Sequence, residues 1–532
     1  MIRIQNIKMP VAHDLAALKE KAAKYLRLKP DDLKIFKIAG KSIDARNKND
    51  IFYVYAVDVK VANEKKYLKV KNVKETPVIE YIVKRFSEPG DLRPVVVGSG
   101  PAGLFAGLIL AEYGLCPIIL ERGRAVDERK KDVYSFFETG KLDETSNIQF
   151  CEGGAGTFSD GKLTTGTHDD RIGKVIEEFI KAGADEAIAY DAKPHIGTDK
   201  LIDIIRTMRV RIQSMGGEYR FESKMTGFKQ KNGRLMSVTV EDKEGSYELD
   251  TDTAILAIGH SARDTFSMLR DSGIKMTPKS FAVGMRIEHP QIFINQAQYG
   301  SFADKLPPAD YKLSIKLPDG RCVYTFCMCP GGMVVPAASE EKHLAVNGMS
   351  YSDRSGTNAN AALLVSVSPA DFIADGGNDV LAGVAFQRKL EKAAFALGGN
   401  NYHAPVQLAG DFLANVPSKA LGDVAPSYLP GYTLCNLNEI LPSDLSVALK
   451  QGLTAMNQKI KGIARYDAVL IGLETRSSSP VRIERNAAFF SSVEGLIPCG
   501  EGAGYAGGII SAAVDGIRCA EAICAYYKKL PE

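Results

Sequence analysis

Apolar residues follow two rhythms along this chain. Short unbroken apolar runs bounded by glycine, proline or charge read as strands buried on both faces, and apolar residues three or four apart read as helices. In the first region, Ile2–Ile4, Leu33–Phe36 and Ile51–Val57 read as strands. His13–Leu28 reads as a helix with Leu15, Leu18, Ala22 and Leu26 on one face. These predict a small α+β domain over residues 1–88, with the linker Ser87–Arg93 behind it. Pro94–Val97 and Pro117–Leu120 are buried strands on either side of an apolar helix. Helices follow at Arg171–Ala182 and Thr198–Met215, the second with Thr198 as its expected cap. Glu218–Leu249 alternates in short strands broken by Lys231-Asn232-Gly233 and Lys243-Glu244-Gly245, a β-meander, and runs into the buried strand Thr253–Gly259. Residues 276–440 mix the strands Phe281–Ile287, Lys312–Leu317 and Cys322–Cys327 with a helix at Val380–Leu397 and long loops. The tail holds a strand within Glu494–Glu501 and a helix at Ile509–Tyr527. The pattern divides the chain into 1–88, 89–275, 276–440 and 441–532.

Two of these helices begin on glycine turns. Gly98-Ser99-Gly100-Pro101-Ala102-Gly103 joins a strand to a helix, and a second strand ends on Glu121, 18 residues beyond Gly103. This is the dinucleotide fingerprint in its confirming context. Gly98 permits the turn, Gly100 lets backbone N–H groups approach a pyrophosphate, and Gly103 lets helix and sheet close together. Glu121 is the acid expected on an adenosine ribose, so an ADP moiety is the expected ligand. Gly502-Ala503-Gly504-Tyr505-Ala506-Gly507-Gly508 feeds the terminal helix in the same way and offers donors to an electron-rich group. A third glycine-rich stretch, Cys151–Leu163, suits a loop close to a ligand, anchored by Phe158 and Leu163. Residues 276–440 contain no second strand–GxGxxG–helix unit, as a reductase with two resident dinucleotides would need, and so read as a substrate domain.

Taken together, VVVGSGPAG with Glu121, AILAIG and GLIPCGEGAGYAGGI resemble the FAD-binding fold of the glutathione-reductase superfamily. CEGGAGTFSDGKL, GHSARDT, YTFCMCPGG and ETRSSSPVRI narrow the resemblance to a bacterial family of FAD-dependent dehydrogenases. The resemblance implies an α/β, doubly wound FAD/NAD(P)-binding fold assembled from both chain halves. It also implies an inserted α+β substrate domain and oxidoreductase activity. It places Gly98, Gly100 and Gly103 at the pyrophosphate, Glu121 at the ribose and Arg122 near the adenosine. Gly154, Thr157 and Lys162 would follow the pyrophosphate and ring. Gly500 is a further cofactor-binding candidate, Glu501 stands where many related chains carry an Asp that hydrogen-bonds the ribitol or pyrophosphate region, and Gly507 and Gly508 would put N–H groups at the reduced flavin ring.

Composition adds bounds rather than chemistry. The 532 residues are 45% hydrophobic and 25% charged with net charge +3, which points away from a membrane or a whole-chain nucleic-acid partner. Residues 1–89 nevertheless carry a surplus of nine cations, so RNA contacted through this domain is an alternative to a small-molecule substrate. The start of the chain shows no apolar run of leader type. Nine cysteines without CxxC spacing suit a reducing cytoplasm. Of these, Cys327 and Cys329 leave a strand before a Pro-Gly-Gly turn; on a regular strand they share one face, and extended geometry disfavours a disulfide between them. Exchange of electrons with flavin or a mixed disulfide with substrate would give them a catalytic role, against simple packing. His195 in the Lys193–Gly197 loop is a further catalytic candidate. Arg476 is a candidate ligand for a substrate carboxylate or the flavin, with ion pairing as its alternative. The expected function is hydride transfer between FAD and an organic substrate, with NAD(P)H as a transient reductant; a flavin-dependent RNA-modifying enzyme and a non-catalytic redox sensor are the alternatives.

Overall fold

The computed structural model describes residues 1–77, 81–83, 92–374 and 379–528. The expected linker falls mostly outside these residues. The N-terminal region is an antiparallel sheet in the order Ile35–Asp44, Phe52–Lys60, Ile2–Pro10, Val73–Glu75. Helix Leu15–Tyr25 packs on it, starting where the Asp14 carboxylate accepts a hydrogen bond from the Ala17 N–H at 2.8 Å. Ile2, Ile4, Leu18, Ala22, Val57 and Val59 form its core. The strand Ile35–Asp44 docks on the rest of the chain: the Lys41 N–H donates to the Tyr190 carbonyl, and the Ala192 N–H to the Lys41 carbonyl.

A five-stranded parallel sheet organises the second unit, in the order Leu496–Pro498, Ala254–Leu256, Val95–Val97, Ile118–Leu120, Glu218–Arg220. The strands come from distant parts of the sequence, Leu496–Pro498 pairing beside Ala254–Leu256. Alternation decides what each face meets. Val96, Ile119, Ile255 and Ile497 face helices Pro101–Glu112, Thr198–Ser214 and Ile509–Tyr527. Val95, Val97, Leu120 and Leu256 face the meander Lys224–Asp250 and helix Arg263–Asp271. The second face is therefore covered by an antiparallel meander and one short helix, where a doubly wound fold places crossover helices. Thr198 is also not the cap expected of it. Gly197 holds that position at φ +88°, and the Thr198 hydroxyl instead donates to the Thr157 carbonyl at 2.7 Å.

The third unit is a seven-stranded sheet in the order Ser314–Lys316, Cys322–Cys329, Asn358–Val367, Phe281–Pro290, Val469–Glu474, Ala404–Leu408, Tyr432–Leu434. It is antiparallel except for its last pair. Val469–Glu474 pairs with Phe281–Pro290, so the sheet runs past the sequence boundary at 440. A two-stranded ribbon, Met276–Pro278 with Val481–Ile483, brings the chain's exit from the parallel-sheet unit beside its return. Among the described residues, no helix is long and apolar enough to cross a membrane.

Candidate functional site: a cleft between two glycine-started helices

The carboxyl ends of the parallel strands open into a cavity of about 1020 Å³ that extends to the seven-stranded sheet. Its volume is at the upper end of small-molecule sites, and its place outside the strand termini is where open α/β sheets bind ligands.

The Gly98 turn is built as the fingerprint requires. Gly98 has φ +99°, and a Cβ there would come within 2.4 Å of the Ala257 carbonyl oxygen. A Cβ on Gly103 would stand 1.8 Å from the Gly98 carbonyl oxygen. Gly154 (φ +60°) presses its backbone onto Gly100, with its own Cβ position 3.0 Å from the Gly100 Cα, so the second glycine loop closes on the first. Gly98, Gly100 and Gly154 line the cavity, whereas Gly103 works behind it as a packing residue.

The terminal bend faces the same space. Gly507 and Gly508 line the cavity, and a Cβ on either would meet no chain atom within 4 Å. Gly508, at φ +144°, is the N-terminal boundary residue of helix Ile509–Tyr527. That helix lies against Pro101–Glu112: a Cβ on Gly516 would be 2.1 Å from the Ala102 carbonyl oxygen, and one on Gly500 2.7 Å from the Ala102 Cβ. Two helix N-termini thus open onto one cavity side by side. Gly500 supports this arrangement from behind, its N–H donating to Asp515 at 2.8 Å.

Glu121 is buried and saturated. One carboxylate oxygen accepts from the Ser99 N–H at 3.0 Å and the Ser99 hydroxyl at 2.6 Å; the other accepts from the N–H groups of Gly123 at 3.0 Å and Cys151 at 3.2 Å. A carboxylate has about four lone-pair sites, and the chain's own donors meet them even though Glu121 lines the cavity. Glu121 therefore ties the glycine turn to the 151 loop. Arg122 lines the cavity, bonds Asp264 through one nitrogen at 2.9 Å to both oxygens, and lies over the Phe150 ring at 4.6 Å. Thr157 packs away from the cavity against Gly153, its hydroxyl buried without a partner, while Lys162 lines the wall and donates to the Met328 carbonyl. Phe158 and Leu163 are buried, as anchors should be.

Glu501 faces the cavity. Burial pushes its carboxyl up to about 7, with Lys279 opposing the shift and Cys327 adding to it.

His195 is not among the described lining residues. Its backbone forms an isolated antiparallel bridge with that of Lys162, and its Nε2 lies 3.1 Å from the Ser352 carbonyl. Burial, then the Arg354 guanidinium, pushes its pKa below the ordinary histidine value. Arg476 does line the cavity, yet its charge is spent. Nε and one terminal nitrogen bond the Glu391 carboxylate at 3.0 and 2.9 Å, and the other nitrogen reaches Ser261 at 3.1 Å and Ser339 at 2.5 Å. Of the two readings of Arg476, the ion pair is the one formed.

The cysteine pair departs from a regular strand. The register slips between Phe326 and Cys329, and Cys327 sits at φ +42°, so the expected alternation is broken by a bulge. Cys327 lines the cavity and is partly exposed; Cys329 is fully buried.

Several site residues carried no local signal. Arg129, fully buried, donates to the carbonyls of Asn147, Ile148 and Glu152 at 2.7–3.0 Å and holds the 147–152 loop in place. Asp160 receives Arg354 at 2.6 and 3.1 Å, and Arg286 pairs with Glu474 at 3.0 Å. The last two pairs join residues nearly 200 positions apart, so no spacing rule could have found them.

Residues 280–477 match a family model described as an FAD-dependent protein, C-terminal domain-like, and residues 1–60 match a domain of unknown function. Similar solved structures include a geranylgeranyl bacteriochlorophyll reductase-like protein from Thermoplasma acidophilum (13% identity, TM-score 0.36, 82% of this chain and 79% of that one). Another is the FAD-complexed glycerol-3-phosphate dehydrogenase from Bacillus halodurans (11% identity, TM-score 0.37, 83% and 66%). An uncharacterized protein from Clostridium beijerinckii is 50% identical over 533 residues, 98% of each chain. The chain belongs to one family with this clostridial protein, and residues 280–477, which hold the seven-stranded sheet, are similar to the C-terminal domain of FAD-dependent proteins.

Proposed function

We propose that the protein is an FAD-dependent oxidoreductase that transfers hydride between bound FAD and a small organic substrate. The observation that carries this reading is the pair of glycine-started helices, Pro101–Glu112 and Ile509–Tyr527, packed together with both N-termini on one cavity. One such terminus suits the pyrophosphate, and the other suits the electron-rich end of a flavin. The fit is supported by the empty shell around Gly507 and Gly508 and by the backbone contact of Gly154 with Gly100, which brings backbone rather than side chains to the cavity. When bound, FAD supplies two-electron chemistry, and the protein supplies binding, orientation and tuning.

The remaining work falls to this chain's own residues. The N–H groups of Gly100 and Ala102 are the ones this turn can offer to phosphate, since Gly98 and Ser99 donate theirs to the Leu120 carbonyl and Glu121 and proline has none, while Arg122, held by Asp264 and Phe150, flanks the adenosine end. The Gly507 N–H, which donates to Ser511 Oγ at 3.1 Å, is the donor available to the ring end on exchange of that partner. Glu501, with its carboxyl near neutrality, can hold or release a proton inside the cleft. Lys193, Lys312 and Phe326 line the side away from the parallel sheet, where a substrate would enter.

The test is direct. Purified protein should be yellow, release FAD on denaturation, and bleach under anaerobic NADH or NADPH or on photoreduction; reoxidation by a panel of acceptors then identifies the substrate class. A colourless chain that takes up no added flavin overturns the reading. A second reading, RNA as substrate, is favoured by the docking of the basic N-terminal domain at Tyr190–Ala192, next to the lining residues Lys193 and Pro194. It requires salt-sensitive binding of tRNA by the whole protein, with log affinity falling linearly in log salt.

A further inference from the structure

At the wall of the same cavity, the bulge at Phe326–Cys329 sets a partly exposed cysteine, Cys327, beside a buried one, Cys329. The Cys329 Sγ donates to the Cys327 carbonyl at 3.3 Å. Arg286 donates to the same Cys327 carbonyl at 2.8 Å and touches the Cys329 Sγ at 3.5 Å, while its other nitrogen is paired with Glu474. Lys162, fixed on the Met328 carbonyl, adds a second cation beside Cys327; Glu474 and, across the cavity, Glu501 are the anions that face it. The neighbouring Cys329, then Lys162 and Arg286, pulls the Cys327 thiol below its ordinary value, while Cys327 and burial push Cys329 up. Burial, the largest cause in each case, drives Cys151, Cys435 and Cys524 the other way, to about 11, 12 and 12. An accessible thiol near a cation with a buried protonated thiol behind it is the arrangement of an attacking and a resolving cysteine.

We propose that Cys327 and Cys329 form a reactive dithiol that reduces small disulfides entering the cavity. The Cys327 sulfur, as its thiolate, attacks one sulfur of R–S–S–R′; the S–S electron pair leaves with R′S⁻, and a Cys327–S–S–R bond forms. The Cys329 sulfur then attacks the Cys327 sulfur, RS⁻ leaves carrying the electron pair and takes the Cys329 proton, and a Cys327–Cys329 disulfide remains. The substrate gains two electrons and the protein dithiol loses two. This goes beyond the flavin reading and does not rest on it, because the dithiol itself is the reductant. The bulge also removes the reason that a regular strand gave against such a bond, since left-handed backbone at Cys327 no longer holds the two side chains in extended register.

The experiment treats the purified full chain with limiting dipyridyl disulfide, follows released thiopyridone, quenches with iodoacetamide, and maps the tryptic peptide Cys322–Lys342 by fragmentation. The wild type should release two equivalents in a phase roughly tenfold faster than labelling of Cys116 and Cys322, the other partly exposed cysteines. It should end with Cys327 linked to Cys329. Cys329→Ser should release one equivalent and retain the pyridyl group on Cys327. Cys327→Ser should lose the fast phase. A fast phase that survives in Cys327→Ser, or a wild type that keeps the pyridyl group on Cys327 without the internal link, overturns the proposal. Should Cys327→Ser fail to fold, the wild-type peptide map alone decides between the two outcomes. The visible flavin spectrum of the same samples reports on FAD separately, so failure of one reading is distinguishable from failure of the other.

Discussion

At the scale of single residues, buried charge in this protein is of two kinds with opposite pH behaviour. Glu288, fully buried in the seven-stranded sheet, accepts from Ser427, and burial pushes its carboxyl up to about 7. A carboxyl raised on folding contributes stability that is complete below its unfolded value and lost as pH rises through its folded one. From the ordinary glutamate range to about 7 this amounts to roughly 3 kcal/mol at ~1.4 kcal/mol per tenfold. Thermal melts of the wild type should therefore fall between about pH 5 and about pH 8, and Glu288→Gln should make that fall shallower; an unchanged slope refutes the assignment. Glu391 is the opposite case. Although burial opposes ionisation, Arg263 and then Arg476 hold its carboxyl well below the ordinary range, so its contribution is present above that range and lost only in strong acid. Glu391→Gln leaves two buried guanidinium groups sharing a neutral partner. Its expected cost is roughly 3–5 kcal/mol, read as a lowered denaturant midpoint at neutral pH. A loss under ~1 kcal/mol would show that the pair is dispensable.

At the scale of elements, the same residue type does two jobs that substitution separates. Gly103 and Gly516 are glycines because another backbone occupies the place of a Cβ, 1.8 Å and 2.1 Å away. Gly507 is glycine beside open space. Gly103→Ala should therefore destabilise by at least ~1–3 kcal/mol and deplete soluble protein. Gly507→Ala, which needs no left-handed backbone, should leave folding within ~0.5 kcal/mol while weakening FAD retention about tenfold, ~1.4 kcal/mol. Equilibrium dialysis against FAD alongside a thermal melt measures both. An unchanged flavin affinity in Gly507→Ala would mean that the bend does not meet the cofactor. The helix pair, rather than either turn alone, sets the site, because Gly500, Gly516 and Ala102 fix how closely the two N-termini lie.

At the scale of the whole molecule, an ion cluster clasps the two large units. Arg263 begins the helix beneath the parallel sheet, Glu391 lies on helix Ala382–Leu397, and Arg476 follows the strand that returns the chain; Arg263 also reaches Glu340, which pairs with Arg388. The Glu391→Gln variant should accordingly broaden unfolding, with the parallel-sheet and seven-stranded units melting apart in calorimetry; a single sharp transition would show that apolar packing alone couples them. Local chemistry was legible in the chain. The strand–turn–helix of Val95–Glu112, the meander and the terminal helix Ile509–Tyr527 are dictated by runs of β-branched residues, by glycine where left-handed or crowded backbone is needed, and by helical periodicity, all of which act over a few residues. The long-range decisions were not. That Val469–Glu474 joins the sheet of Phe281, that a meander covers the second face of the parallel sheet, and that Glu121 is filled by Ser99, Gly123 and Cys151 depend on which surfaces meet. So do the pairing of Arg476 with Glu391 and the bulge that turns Cys327 toward the cavity. Periodicity records how a segment orders itself and which face it buries; only the folded chain supplies the partner that buried face, charge or thiol will have, because that partner is chosen by packing among segments hundreds of residues apart.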